Sequence, residues 1–197
     1  MFAVYRGSWC AVCRAWLRRF LDVEPSLSDR LTQHDGVVYL VSAQDHDATA
    51  KNAARWGIAA VPRVTFLPDP DHALVEQWSA AGIARVQVSG LPGPASAYGH
   101  RYRRGIAQPA LLIFVEGRCV YAWTSVPRWS NLGGATARPD PVEVLETLFR
   151  YLQEGGLGKQ PAARIPDHPL KTWVFFRKIL SGMLVSNGAR SADSQTS

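Results

Sequence analysis

Two cysteines separated by two residues, Cys10-Ala11-Val12-Cys13, stand where a strand-like opening meets a helical pattern, and this junction constrains the fold more than any other feature. Val4-Tyr5 begins as strand. From Trp9 to Phe20, the residues Cys13, Trp16, Leu17 and Phe20 recur at i, i+3, i+4 and i+7, the spacing of one helical face. A cysteine at a helix N-terminus meets unpaired N–H groups and the positive end of the dipole, which favour its thiolate. A second cysteine on the same turn is close enough to attack a mixed disulfide and release the product. Cys10 shares its side of the helix with Arg14 and Arg18, whereas Cys13 shares the apolar side with Leu17 and Phe20. The pattern assigns Cys10 as nucleophile and Cys13 as resolving thiol, with Arg6, Arg14 and Arg18 as cationic support and Trp9 as a wall of the site. Two other readings of the pair stand beside this one. It also fits half of a zinc site, although Cys119 is the only further cysteine and the five histidines lack paired spacing. It also fits an inert pair kept on an interaction scaffold, because a fold does not guarantee its usual activity.

The remaining pattern alternates strand and helix. Val37–Val41 is a buried-strand run opened by the turn pair Asp35-Gly36. Asp45 or Asp47 caps a helix over Ala48–Trp56, and Gly57 ends it. Val64–Leu67 is a short strand, Asp71–Ala81 a helix and Arg85–Val88 one more short strand. After an irregular stretch over 89–109, Leu111–Val115 and Cys119–Trp123 flank Glu116-Gly117 as a hairpin. Asp140-Pro141 opens a last helix, Val142–Leu152. The order β-α-β-α-β-α-(β)-β-β-α makes residues 1–154 an α/β layered domain. Residues 155–197 form a Gly/Pro linker, an amphipathic helix over 169–185 and a polar tail.

Hydrophobic residues make up 47% of the 197, enough for a real core, which excludes a disordered chain. The longest apolar runs, such as Ala110–Val115, are strand-length, so no segment is long enough to span a bilayer. Three cysteines are too few for a disulfide scaffold. Lys159, Arg164, Lys171, Arg177, Lys178 and Arg190 against Asp167 and Asp193 give residues 155–197 a net +4 of the chain's +6. The basic character therefore belongs to the tail, and no nucleic-acid partner is expected for the folded domain. The helix 169–185 is expected to dock on a protein surface or to rest on an anionic membrane. The start, Met1–Arg6, lacks the apolar stretch of a secretory leader, so a reducing compartment is expected, cytoplasmic or an organellar matrix.

Tyr5-Arg6-Gly7-Ser8-Trp9-Cys10-Ala11-Val12-Cys13 resembles the Tyr-Arg-Gly-x-Trp-Cys-Pro-x-Cys segment of peroxiredoxin-like proteins, the alkyl hydroperoxide reductase/thiol-specific antioxidant branch of the thioredoxin-fold superfamily. Val37–Ser42 followed by Gln44, Leu67–Asp71 with Trp78 and Gly82-Ile83, Gln108–Gly117, and Asn131–Gly134 with Arg138-Pro139 follow in that family's order. The resemblance covers residues 2–152. It implies a thioredoxin-like fold, a central mixed sheet flanked by helices, here with a C-terminal helical extension. It further implies thiol-dependent oxidoreductase or antioxidant activity on a protein or small-molecule disulfide or a peroxide, reset by an external dithiol, with no metal or organic cofactor.

The departures point to disulfide exchange. Ala11 replaces the family's proline, Gly7 stands where peroxidatic relatives carry a threonine, and Gln108 stands where they carry an arginine before the late strand. Such folds place a proline opposite the cysteines; Pro109 fits that position, with Pro62 as the other candidate. Cys119 reads as a packed thiol, and His100–Arg104 as a solvated basic loop. The alternative function is a redox-inactive subunit or interaction module of a larger or membrane-associated assembly.

Overall fold

Alternation along the strands decides the layers. The computed structural model describes residues 1–21, 27–57, 61–90, 102, 104–128, 134 and 138–154; the expected helix 169–185 lies outside the described residues, as does all of 155–197. Strands β1 (Phe2–Val4), β2 (Val38–Ser42) and β3 (Val64–Pro68) run parallel, while β6 (Ala110–Val115) lies antiparallel to β1 and β7 (Arg118–Thr124) antiparallel to β6. The five form one mixed sheet in the order β3-β2-β1-β6-β7. Two short strands, β4 (Val88–Ser89) and β5 (Ile106–Ala107), pair separately as an antiparallel ribbon. The strand expected over Arg85–Val88 is thus shifted to Val88–Ser89, and no local pattern points to its partner 17 residues or more downstream.

Ala3, Tyr5, Val38, Leu40, Leu111 and Ile113 point to one face, where α1 (Ala11–Leu21), α2 (Leu27–Gln33), α3 (His46–Trp56) and α5 (Pro141–Gln153) contribute Cys13, Trp16, Leu17, Phe20, Leu31, Trp56, Val144, Leu145 and Phe149. The residues between them, Val4, Val41, Ala110 and Leu112, point the other way onto Val75 and Trp78 of α4 (Ala73–Ala80). Period-two alternation on a sheet covered on both faces leaves few polar positions, which is why these strands read as apolar runs.

Local chemistry sets the ends. The Asp45 carboxylate accepts from Ala48 N at 2.8 Å and caps α3. Asp140 accepts from Val142 N at 2.9 Å, with Pro141 opening α5 where its missing N–H costs nothing. Glu116 and Gly117 both hold positive φ (49° and 76°), the geometry that lets a two-residue turn match the twist of β6 and β7. Helix α2 was not anticipated: Leu27–Gln33 spans only 7 residues, and among its described side chains Leu31 is the buried apolar anchor on the first face.

Candidate active site

The cysteine pair opens α1 at the end of the central strand. Cys10 N donates to Gly7 O at 3.1 Å, a tight turn that delivers Cys10 to the first free position of the helix, and Arg14 N donates to Cys10 O at 3.0 Å. Cys13 N, one of the helix's unpaired donors, points at Cys10 Sγ at 3.2 Å. Cys10 and Cys13 are joined as a disulfide. Cys10 retains 5% exposure and Cys13 none, so an incoming group meets Cys10 first.

Two guanidinium groups stand behind the disulfide. Arg138 is buried, donates from Nη2 to Cys13 Sγ at 3.2 Å, and stacks over the Trp16 ring at 5.0 Å. Burial, with the positive charge of Arg6 adding to it, pushes the Arg138 guanidinium down to about 9, which still leaves it cationic at neutral pH. Arg6 grips Gln108 Oε1 from Nε at 3.1 Å and Nη2 at 2.8 Å, and burial lowers its proton affinity too. Gln108 in turn donates to Ser89 Oγ at 2.8 Å, and the next residue, buried Pro109, accepts from Ser125 N at 2.8 Å. Gln108 therefore serves as an acceptor for Arg6 in the place where the resemblance expects an arginine.

A hydroxyl clasp closes the other side. Tyr102 Oη accepts from Trp9 Nε1 at 2.9 Å and donates to Arg6 O at 2.9 Å. Burial raises the Tyr102 phenol well above its ordinary range, so it stays neutral. Gln44 Oε1 accepts from Ser8 N at 2.8 Å and from Asn52 Nδ2 at 2.7 Å, tying the cysteine loop to the β2–α3 connection. Between these groups lies Gly7, with φ of 137° and no room for a β-carbon beside Tyr102 Oη and Gln44 Oε1. The glycine at the threonine position has a steric cause here: another residue's hydroxyl occupies the space.

Of the residues singled out in the sequence, Cys10, Cys13, Arg6 and Trp9 belong to this neighbourhood, and Pro109 is buried next to Gln108, the partner of Arg6. Arg14 does not join it: its side chain is exposed, because the helix turns it outward while Cys13 faces the core. Arg18 is drawn off to Trp56 O at 3.0 Å. Pro62 lies exposed in the turn before β3. Of the basic cluster, Tyr102 departs from the expectation because it is buried in the site, Arg104 pairs with Glu76 at 2.7 Å at an exposed position, and His100, Arg101 and Arg103 lie outside the described residues. Cys119 is half-buried on β7, donates to Tyr121 O at 3.3 Å, and burial pushes its thiol up.

Arg138, Gln44 and Tyr102 were not identified as site residues from sequence. Arg138 had a usable signal, an arginine before a capped helix, but no spacing rule links it to Cys13 across 125 positions. Among the described residues no group of three or more His, Cys, Asp or Glu could hold a metal ion. No helix among them is long and apolar enough to cross a membrane. Compared with known proteins, the chain matches no family model, no curated protein and no solved structure.

Proposed function

We propose that this chain is a thiol–disulfide oxidoreductase of thioredoxin-like fold, akin to the peroxiredoxin-like proteins that its cysteine segment resembles. The observation that carries the reading is the Cys10–Cys13 disulfide at the N-terminus of α1, with Cys10 the more exposed partner. The strand order β3-β2-β1-β6-β7, parallel through β1 and antiparallel beyond it, supports the fold assignment.

In the reduced chain the helix N-terminus favours the Cys10 thiolate. That thiolate attacks a substrate disulfide; one new S–S bond forms, the substrate's bond breaks and one substrate sulfur leaves as thiolate. Cys13, once deprotonated, attacks Cys10 Sγ, closes the internal disulfide and expels the second substrate thiolate. An external dithiol returns two electrons to the pair. Peroxide reduction fits less well. Gly7 supplies no hydroxyl three residues before Cys10, and the Tyr102 hydroxyl beside it is committed to Arg6 O and Trp9 Nε1.

The test is turnover of a small aromatic disulfide by the full chain with a dithiol reductant. Cys10→Ser is expected to abolish turnover, and Cys13→Ser to accumulate a mixed disulfide on Cys10. A wild-type chain whose Cys10 alkylates no faster than a free thiol and forms no reversible disulfide overturns the reading, and leaves the scaffold function.

A further inference from the structure

In a Cys-x-x-Cys pair at a helix N-terminus, local electrostatics favour charge on the first sulfur. Here the strongest charged contact is on the second. Arg138 Nη2 lies 3.2 Å from Cys13 Sγ, and Cys13 is wholly buried. A thiolate formed there has no water to solvate it and depends on the groups around it. The charged neighbours are Arg138 and, behind it, Arg6, which Gln108 holds in place. Arg14 on the same helix is exposed, and Asp140, two residues beyond Arg138, pairs with Arg19 at 3.0 Å.

We infer that Arg138 is the charge partner of Cys13 as a leaving thiolate, which biases the Cys10–Cys13 disulfide towards accepting electrons from an incoming dithiol. The inference rests on the oxidoreductase reading and gives it a direction. One thiolate of the dithiol attacks Cys10 Sγ, the less buried member of the pair. A bond forms between the two sulfurs, the Cys10–Cys13 bond breaks, and its electron pair leaves on Cys13 Sγ beside the guanidinium. The dithiol's second sulfur, its proton lost to solvent, attacks the first and releases Cys10 as thiolate. The dithiol is oxidised to a disulfide and the cysteine pair gains two electrons. Arg138 touches a reacting atom throughout and acts as a catalytic residue, lowering the barrier to opening because a better-stabilised thiolate leaves faster.

The experiment compares full-length wild type and Arg138→Met in redox equilibrium with dithiothreitol, and titrates Cys13 by thiolate ultraviolet absorbance in a Cys10→Ser/Cys119→Ser chain. An opposite charge this close shifts a pKa by about 1–3 units. The Arg138→Met chain is therefore expected to hold its reduced form at least ~10-fold less favourably. Cys13 in the Arg138-intact chain is expected to ionise below about 8.5. A merely structural Arg138 would weaken oxidised and reduced chains equally; an unchanged redox equilibrium overturns the inference. If Arg138→Met does not fold, the titration decides alone, since it leaves position 138 untouched: a Cys13 pKa at or above the free-thiol value overturns it. Failure of wild type to form the disulfide at all counts against the oxidoreductase reading instead.

Discussion

A single β-carbon at position 7 has nowhere to go. Gly7 holds φ at 137°, a conformation side chains avoid, and the space beside it belongs to Tyr102 Oη and Gln44 Oε1. Gly7→Ala is expected to cost about 1–3 kcal/mol in urea unfolding, from backbone strain and the clash together. Removing the hydroxyl in Gly7→Ala/Tyr102→Phe relieves the Tyr102 share of the clash and not the backbone strain, so the double mutant is expected to be more stable than the two single effects would sum to. Additive effects would mean that Tyr102 does not fill the Gly7 space. At this scale the sequence was legible wherever chemistry is local. The cysteine spacing and the apolar side of α1 identified Cys10 and Cys13 and their unequal exposure. The same helical reasoning placed Arg14 and Arg18 beside Cys10, yet Arg14 faces solvent and Arg18 bonds Trp56 O. Two long, flexible cations on an exposed face answer to whatever acceptor lies nearby, and spacing carries no information about that.

Elements whose ends are fixed by their own residues were the readable ones. Asp45, Gly57, Asp140-Pro141 and Glu116-Gly117 each act within four positions, and each stands at a terminus or turn as expected. Pairings between distant segments were not readable, which is why the β4–β5 ribbon was missed and with it the route that brings Tyr102 and Gln108 to the site. Helix α5 shows how a local device supports a remote contact. Asp140 caps it and pairs with Arg19, and the preceding Pro139 carbonyl accepts from Trp16 Nε1 at 3.0 Å. These bonds fix the approach of Arg138 to α1. Asp140→Ala is expected to lower stability by about 1–2 kcal/mol, mostly through the lost cap, since the partly exposed ion pair adds little. Thermal unfolding checks it, and a loss indistinguishable from zero would mean that the cap does not hold this helix.

The molecule as a whole keeps two phenols neutral inside it. Burial pushes the ionisation of both Tyr5 and Tyr102 to higher pH. Above about pH 10 an unfolded tyrosine loses its proton while the folded one retains it. The unfolded state then binds fewer protons, so stability present at lower pH is lost as pH rises. Arg138, pushed down to about 9, acts in the opposite sense, so the informative comparison is between wild type and Tyr102→Phe. Wild type is expected to lose stability more steeply above about pH 10, by at most ~1.4 kcal/mol per pH unit for the one group. Parallel pH profiles from denaturant unfolding would show that Tyr102 ionises as freely in the folded chain as in the unfolded one.

The bond from Arg138 to Cys13 also has a meaning in time. It joins residues 125 positions apart, and the Arg6–Gln108 grip joins residues 102 apart. Contacts closed over such distances form late, after nearby strands and helices have already paired. On a ribosome, Cys10 and Cys13 emerge long before either Gln108 or Arg138, so for much of synthesis the pair lacks both long-range supports. The contact of Arg138 with Cys13 therefore arrives only when α5 approaches α1, well after the cysteines themselves have been made.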